Sequence, residues 1–256
     1  MRRGMLLAGM AAALAVAAGA DDWPPRLVGS FPAPPNAIAL SCEYQPLYAL
    51  VGGREPLILI LDGSNGSITG SYNLPVPYGA RGIATTGSGS PYLWVSNRLN
   101  SFLYYLTTGG SLLGSFRCPE GTPFGLGGYW YGGGPDKGYL TVSCRNENQI
   151  LRVNPTTGSL ASSFAGPATA VIGYDERFAV DRYSDCLYWK RSGSWEVLDT
   201  LPAGPRGVTV AAHISTDAAP GALDAYVICR DDYIYHYYGW TAVAPASLGR
   251  VKALFR

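Results

Sequence analysis

Four segments of this chain are variations on one strand: Leu27-Val28-Gly29-Ser30-Phe31, Ser67-Ile68-Thr69-Gly70-Ser71-Tyr72, Ser111-Leu112-Leu113-Gly114-Ser115-Phe116 and Ser159-Leu160-Ala161-Ser162-Ser163-Phe164. Self-similarity at a spacing of roughly 44 residues is the mark of a ring or stack of small supersecondary units. The last three copies each follow a short turn rich in Gly, Asn, Asp and Thr, the residues that tolerate positive φ in hairpins. The first copy has no such turn and no strands before it.

Each later copy closes a unit with one grammar. The second unit reads as short strands at 82–84, 92–96, 102–106 and 111–116, the third as 124–126, 139–143, 149–153 and 159–164, and the first as 37–40, 47–51, 57–61 and 67–72. Apolar and aromatic residues dominate these segments, which predicts sheets buried on both faces. A fourth unit is more eroded, at 170–173, 178–180, 186–189 and 195–201, and a fifth has strands at 207–210, 225–228 and 233–238 but no fourth. A chain that opens with a fourth strand and closes on a unit lacking one is completed by pairing its ends, which removes an exposed sheet edge. The expected fold is therefore an all-β propeller of five blades of four antiparallel strands, one domain over residues 21–256. Six blades is the alternative if the tail from Pro245 to Arg256 holds a further sheet.

The phrases Gly82-Ile83-Ala84, Tyr92-Leu93-Trp94-Val95-Ser96 and Asn154-Pro155-Thr156-Thr157-Gly158-Ser159 resemble the exported bacterial repeat propellers of the NHL, YVTN and SMP-30-like groups. The resemblance covers most of the chain after residue 20 and implies the propeller fold; that fold carries binders, hydrolases, lyases and scaffolds alike. The acidic and amide metal-binding set of an SMP-30-like lactonase has no recognisable counterpart here.

Arg2 and Arg3, the apolar run from Met5 to Ala18 and the small residues Ala18-Gly19-Ala20 have the layout of a secretory signal peptide, so a secreted or periplasmic protein without a membrane span is expected. A net charge of +1 gives no reason to expect nucleic acid as a partner. Five cysteines, Cys42, Cys118, Cys144, Cys186 and Cys229, leave at least one thiol without an internal partner, and small buried hydrophobe is the favoured role for most. Cys144 and Cys229 take the same position in non-neighbouring blades and are expected not to be bonded. The cysteine spacing matches no zinc pattern, and neither metal nor cofactor is expected.

One polar residue keeps step with the blades. Arg54, Arg98, Arg145, Arg182 and Arg230 each follow the second strand of a unit. The turn after that strand lies at the same end of the blade as the connector into the next, so all five share one face with the Pro/Gly-rich connectors. Arg81 and Arg206 immediately precede inner strands and sit nearer the axis of that face. A guanidinium rim suits carboxylate, sulfate or phosphate; the competing use is bracing, with each arginine bonded to its own connector or to Glu55, Glu147, Asp231 or Asp232. Tyr78, Phe124, Tyr129, Trp130 and Tyr131 lie in or beside connectors, where a sugar ring could stack, and Tyr78 and Trp130 are the two assigned as ligand residues. Trp94 and Trp189, within strands, are expected to pack between blades.

No catalytic residue is assigned. Asp175, Glu176, Asp181 and Asp185 fall in one degenerate blade and do not converge, and His236, inside an aromatic strand, reads as a packed residue. The leading expectation is a non-catalytic exported propeller that binds an extracellular glycan or peptide, anionic ones included, on the connector face. The alternatives are a lyase or hydrolase with carboxylates in the central channel, and an envelope scaffold.

Overall fold

The computed structural model describes residues 25–42, 46–85, 92–127, 138–144, 148–167, 171–175, 178–181, 183–191, 194–205, 211–215 and 222–240. These form twenty strands in five four-stranded antiparallel sheets. The first blade is β2 (Ala37–Cys42), β3 (Leu47–Val51), β4 (Leu57–Leu61) and β5 (Ile68–Asn73). The second is β6 (Ala80–Thr85), β7 (Tyr92–Asn97), β8 (Phe102–Thr107) and β9 (Leu112–Arg117). The third is β10 (Pro123–Gly127), β11 (Leu140–Cys144), β12 (Ile150–Val153) and β13 (Leu160–Phe164). The fourth is β14 (Val171–Asp175), β15 (Phe178–Asp181), β16 (Cys186–Arg191) and β17 (Ser194–Thr200). In the fifth, β18 (Ala211–Ser215), β19 (Ala222–Ile228) and β20 (Tyr233–Trp240) are completed by β1 (Arg26–Pro32). β1 pairs antiparallel with β20 from Arg26↔Tyr238 to Pro32↔Tyr233, so the orphan phrase is the outer strand of the last blade. The fold is a five-bladed β-propeller.

The first strand of each blade lines the axis. β2 packs on β6, β6 on β10, β10 on β14, and β18 on β2. Polar ties cross between neighbouring blades here: Thr85 N of β6 donates to Ser41 Oγ of β2 at 2.8 Å, and Ser96 Oγ of β7 donates to Phe124 O of β10 at 2.9 Å. The apolar core is divided into layers between neighbouring blades. One layer joins Tyr48, Leu50 and Ile58 to Ile83, Leu93 and Leu106; the next joins Ala84, Trp94 and Leu103 to Leu126, Leu140 and Leu151. Trp94 and Trp189 are buried in such layers, as expected of large flat side chains between sheets.

The recurring aromatic has a specific seat. Phe31 lies on Gly66, Tyr72 on Gly110 and Phe116 on Gly158; in each case the outer strand of one blade covers the hairpin glycine of the next. A methyl group on Gly110 would lie 2.5 Å from Tyr72 Cδ2, and one on Gly158 2.6 Å from Phe116 Cγ. All three glycines also have positive φ, at 75°, 89° and 71°. Glycine is therefore required twice over, by backbone conformation and by lack of space.

The expectation of burial on both faces fails for the outer strands. Every side chain of β5 and β9 is exposed or half-exposed, whereas β3 and β11 are buried nearly throughout. Sheets that radiate from one axis diverge with distance from it, so only the inner strands are sandwiched. The fifth inner strand is seen at 211–215; the predicted segment 207–210 and the tail 245–256 lie outside the described residues, as does the expected signal segment.

Gly110→Ala should lower unfolding free energy by about 1–3 kcal/mol. Gly109→Ala, whose methyl would meet only Thr107 Oγ1 at 3.8 Å, should be within about 0.5 kcal/mol of the parent. Urea titration of both variants checks this. Alkali should also weaken the fold. Burial, then the Asp199 carboxylate that accepts the Tyr237 hydroxyl at 2.8 Å, push the Tyr237 phenol far up; burial likewise raises Cys229, to about 12. The folded chain keeps these protons while the unfolded chain loses them from about pH 9–10, so stability is complete below that range and falls as pH rises through it. Tyr237→Phe should give a shallower decline of the urea midpoint between about pH 9 and 12.

Candidate functional site

The face that carries the blade connectors is organised by one repeated turn. The second strand of each of the first four blades ends at Val51, Asn97, Cys144 or Asp181, and each of these pairs with the start of the inner strand, at Ala37, Ala80, Pro123 or Val171; in the fifth, Cys229, just after β19, forms an isolated bridge with Pro205. The chain then turns into the third strand. Ser101, Asp185 and Asp232 occupy the last turn position at φ 61°, 51° and 63°, and their carbonyls accept the amides of Cys118, Leu201 and Ala33, the residues leaving the outer strands. Pro56 O accepts Leu74 N in the same way in the first blade. These four turns are thereby each tied to their own connector.

Two of these turns are fixed by a buried polar side chain. Asn97 Oδ1 accepts Leu99 N at 3.0 Å and Asn100 N at 3.3 Å, while its Nδ2 donates to Pro77 O at 2.8 Å and Tyr78 O at 3.1 Å. In the fourth blade Asp181 Oδ1 accepts Tyr183 N at 2.6 Å and Ser184 N at 2.9 Å. Asp181, one of the carboxylates weighed for catalysis, is thus a turn anchor. His236 is stacked on Tyr226, with ring centroids 4.4 Å apart, which agrees with its reading as a packed strand residue.

On this frame the structure places Arg54, Arg98 and Arg230 in the turns after β3, β7 and β19. Arg54 and Arg230 are exposed and Arg98 half-buried; Arg98 N donates to Gly79 O and Arg230 N to Gly204 O, each at 3.0 Å. These three belong to the first, second and fifth blades, consecutive around the ring. Tyr78 stands in the β5–β6 connector beside Gly79, and a methyl on Gly79 would meet Leu99 Cγ at 2.8 Å. Arg145, Arg182, Arg206, Trp130, Tyr129 and Tyr131 lie outside the described residues.

Arg81 occupies a different level. The register of the inner strand slips once near its start in the first four blades, between Ala37 and Ala39, Ala80 and Gly82, Pro123 and Gly125, and Val171 and Gly173. The inserted residue of the second blade is Arg81, and that of the third is Phe124. A bulge re-aims its side chain, and the Arg81 guanidinium carbon sits 4.7 Å from the centroid of the Phe124 ring. Ser96 Oγ accepts Gly82 N at 2.8 Å and Ser143 Oγ accepts Gly125 N at 3.0 Å, so the amides displaced by the slip keep partners. Phe124 is buried beneath Arg81 and gives no ring face to a sugar, contrary to the expectation that it could stack on one.

Leu99 and Tyr183 are functional candidates that sequence reasoning missed. They are 60% and 66% exposed, beside 57% for Tyr78, and each follows the arginine position of its turn. The available signal is the pair of phrases Asn97-Arg98-Leu99 and Asp181-Arg182-Tyr183, in which a large apolar residue follows the arginine that succeeds a turn-forming Asn or Asp. The face therefore offers guanidinium forks beside solvent-facing apolar surface, chemistry suited to a ligand with both carboxylate and ring or alkyl parts.

No protein-family model matches this chain, and no curated protein matches its sequence. Solved structures do. The crystal structure of Myxococcus xanthus glutaminyl cyclase is similar at a TM-score of 0.60 and 12% identity, over 86% of this chain and 97% of that one. The WD40 β-propeller domain of Doa1 has a TM-score of 0.45 and 14% identity, over 77% of this chain and 62% of that one. The first likeness supports the propeller fold and reaches no further at this identity.

Asn97→Ala should cost about 2–4 kcal/mol, since two amides and two carbonyls lose a buried partner together. Asn97→Asp keeps the acceptor but sets a carboxylate against the carbonyls of Pro77 and Tyr78, which should raise its pKa. Its urea midpoint should therefore be lower at about pH 8 than at about pH 5 by more than the parent's changes.

Proposed function

We propose that this chain is an exported, non-catalytic propeller of the NHL, YVTN and SMP-30-like kind that binds a carboxylate- or sulfate-bearing extracellular ligand, an acidic peptide or glycan, on its connector face. The observation that carries the reading is the placement of Arg54, Arg98 and Arg230 on one face in three consecutive blades, beside exposed Tyr78 and Leu99. Turns tied by main-chain bonds hold these side chains on a rigid base, which limits the ordering cost of binding. Guanidinium supplies paired donors to a carboxylate or sulfate, and Tyr78 and Leu99 supply apolar area. Asp181, the buried carboxylate of the degenerate blade, binds turn amides, which favours a binding over a catalytic use of this end.

The test compares the parent with Arg54→Glu/Arg98→Glu/Arg230→Glu, using immobilised poly-glutamate, a sulfated oligosaccharide and an uncharged oligosaccharide as probes at low salt. The parent should retain one of the two acidic probes and not the neutral one. The triple variant should lose at least about tenfold in affinity, given the strength of charge-assisted hydrogen bonds, and Tyr78→Ala several-fold. Equal retention by parent and triple variant, or no retention of either acidic probe by the parent, would overturn the reading. Circular dichroism of the variant confirms that the fold persists.

A further inference from the structure

We propose that Cys118 and Cys144 are a cross-linking pair whose disulfide joins the connector after the second blade to the second strand of the third. All five cysteines are thiols in the structure, but two of them converge. Cys118 directly follows β9 and Cys144 ends β11, and both lie in the apolar layer between these blades. Their sulfurs point at one main-chain oxygen: Cys118 Sγ donates to Glu120 O at 3.1 Å and Cys144 Sγ to the same oxygen at 3.7 Å. The other cysteines are placed elsewhere. Cys42 lies in the layer between the fifth and first blades, Cys229 in the layer containing Tyr237, and Cys186 donates its thiol to Ser184 O at 3.1 Å. Cys144 and Cys229, equivalent by register, are thus in separate layers.

The pair is also poised for exchange. The Cys144 thiol, which can swing its one proton from Glu120 O onto the Cys118 sulfur, holds the Cys118 thiol below its ordinary pKa, against the opposing effect of burial. Attack on a disulfide requires thiolate, so a lowered pKa raises the reactive fraction near neutrality. Among the described residues, the exposed segment from Pro119 to Gly121 lies over the two sulfurs, with Gly121 at φ 63° and Gln149 Nε2 bonded to Glu120 Oε2 at 3.0 Å. Displacing this one short turn admits an oxidant.

The step balances with an external disulfide such as glutathione disulfide. Cys118, having released its proton to solvent, attacks one sulfur of the oxidant; the S–S bond breaks and one glutathione leaves as thiolate and takes up a proton. Cys144 then loses its proton and attacks the Cys118 sulfur, expelling the second glutathione. Two protein thiols are oxidised and one glutathione disulfide is reduced to two thiols. The Glu120 carbonyl gives up two weak thiol bonds as the sulfurs close to about 2.05 Å.

The experiment incubates the purified full chain with glutathione disulfide, quenches in acid, alkylates in denaturant and maps the peptides. The expected result is a Cys118–Cys144 linked peptide with Cys42, Cys186 and Cys229 alkylated, and an intact mass about 2 Da below that of the reduced chain. The oxidised chain should unfold roughly 5–10 °C above the reduced chain. Cys118→Ser should remove that shift and leave Cys144 alkylated. Alkylation of all five cysteines, a link to any other cysteine, or Cys118 held only as a glutathione adduct would each overturn the proposal, and the parent's peptide map decides it without any variant.

Discussion

The fold rests on a contact between an aromatic ring and a glycine. Phe31, Tyr72 and Phe116 each reach from the outer strand of one blade onto the hairpin glycine of the next. Two properties meet there: a ring large enough to span the gap between diverging sheets, and a turn residue with neither side chain nor negative φ. The outer strand has little other burial, so besides its ladder to the third strand this ring is what fixes it against the neighbouring blade. In these three cases the contact also couples blades in one direction around the ring, the outer strand depending on the turn ahead of it. Repetition of the aromatic and the turn glycine in the sequence is thus one physical requirement stated in two places.

This coupling explains why the architecture is legible in the amino-acid sequence. Phe31, Tyr72 and Phe116 recur because the seat recurs, and the orphan segment around Phe31 can be placed because it carries the same ring without the strands that ordinarily precede it. The level of burial is less legible. Val28, Ile68 and Leu112 look like core residues by type, yet they are exposed, because composition does not report how far a strand lies from the axis. The register slips that set Arg81 over Phe124 are also hidden. A bulge adds one residue to a strand, and a short apolar run reads the same with or without it. The arginine spacing does report a shared face for Arg54, Arg98 and Arg230, whereas the side chains that fix that face, Asn97 and Asp181, differ from ordinary turn polar residues only in their burial.

The connector face combines tied turns with exposed side chains. Loop amides and carbonyls are normally left to water, but here, in the first, second, fourth and fifth blades, the turn after the second strand and the connector after the outer strand satisfy one another, with Leu74, Cys118, Leu201 and Ala33 each donating inward. Exposed side chains on such turns start from a backbone whose position is already set. At the bulge, Arg81 lies over the buried Phe124 ring rather than on one of these turns.

The seam formed by β1 and β20 bears on how the protein reaches its native state. Arg26 pairs with Tyr238, so the first strand of the described chain waits for nearly the last before it has a partner. Four blades are assembled from neighbours in sequence and form by local hairpin closure, while the fifth requires the two ends of the domain to meet, the slowest kind of contact for a chain to find. Until then Phe31 is not on Gly66, and the layer between the fifth and first blades, with Leu40, Leu47, Ile228 and Ile234, is open. Ring closure is accordingly a single late event that takes the molecule from an open arc of sheets with sticky edges to a closed one, and it sets the interval during which the chain is most exposed to pairing with another copy of itself.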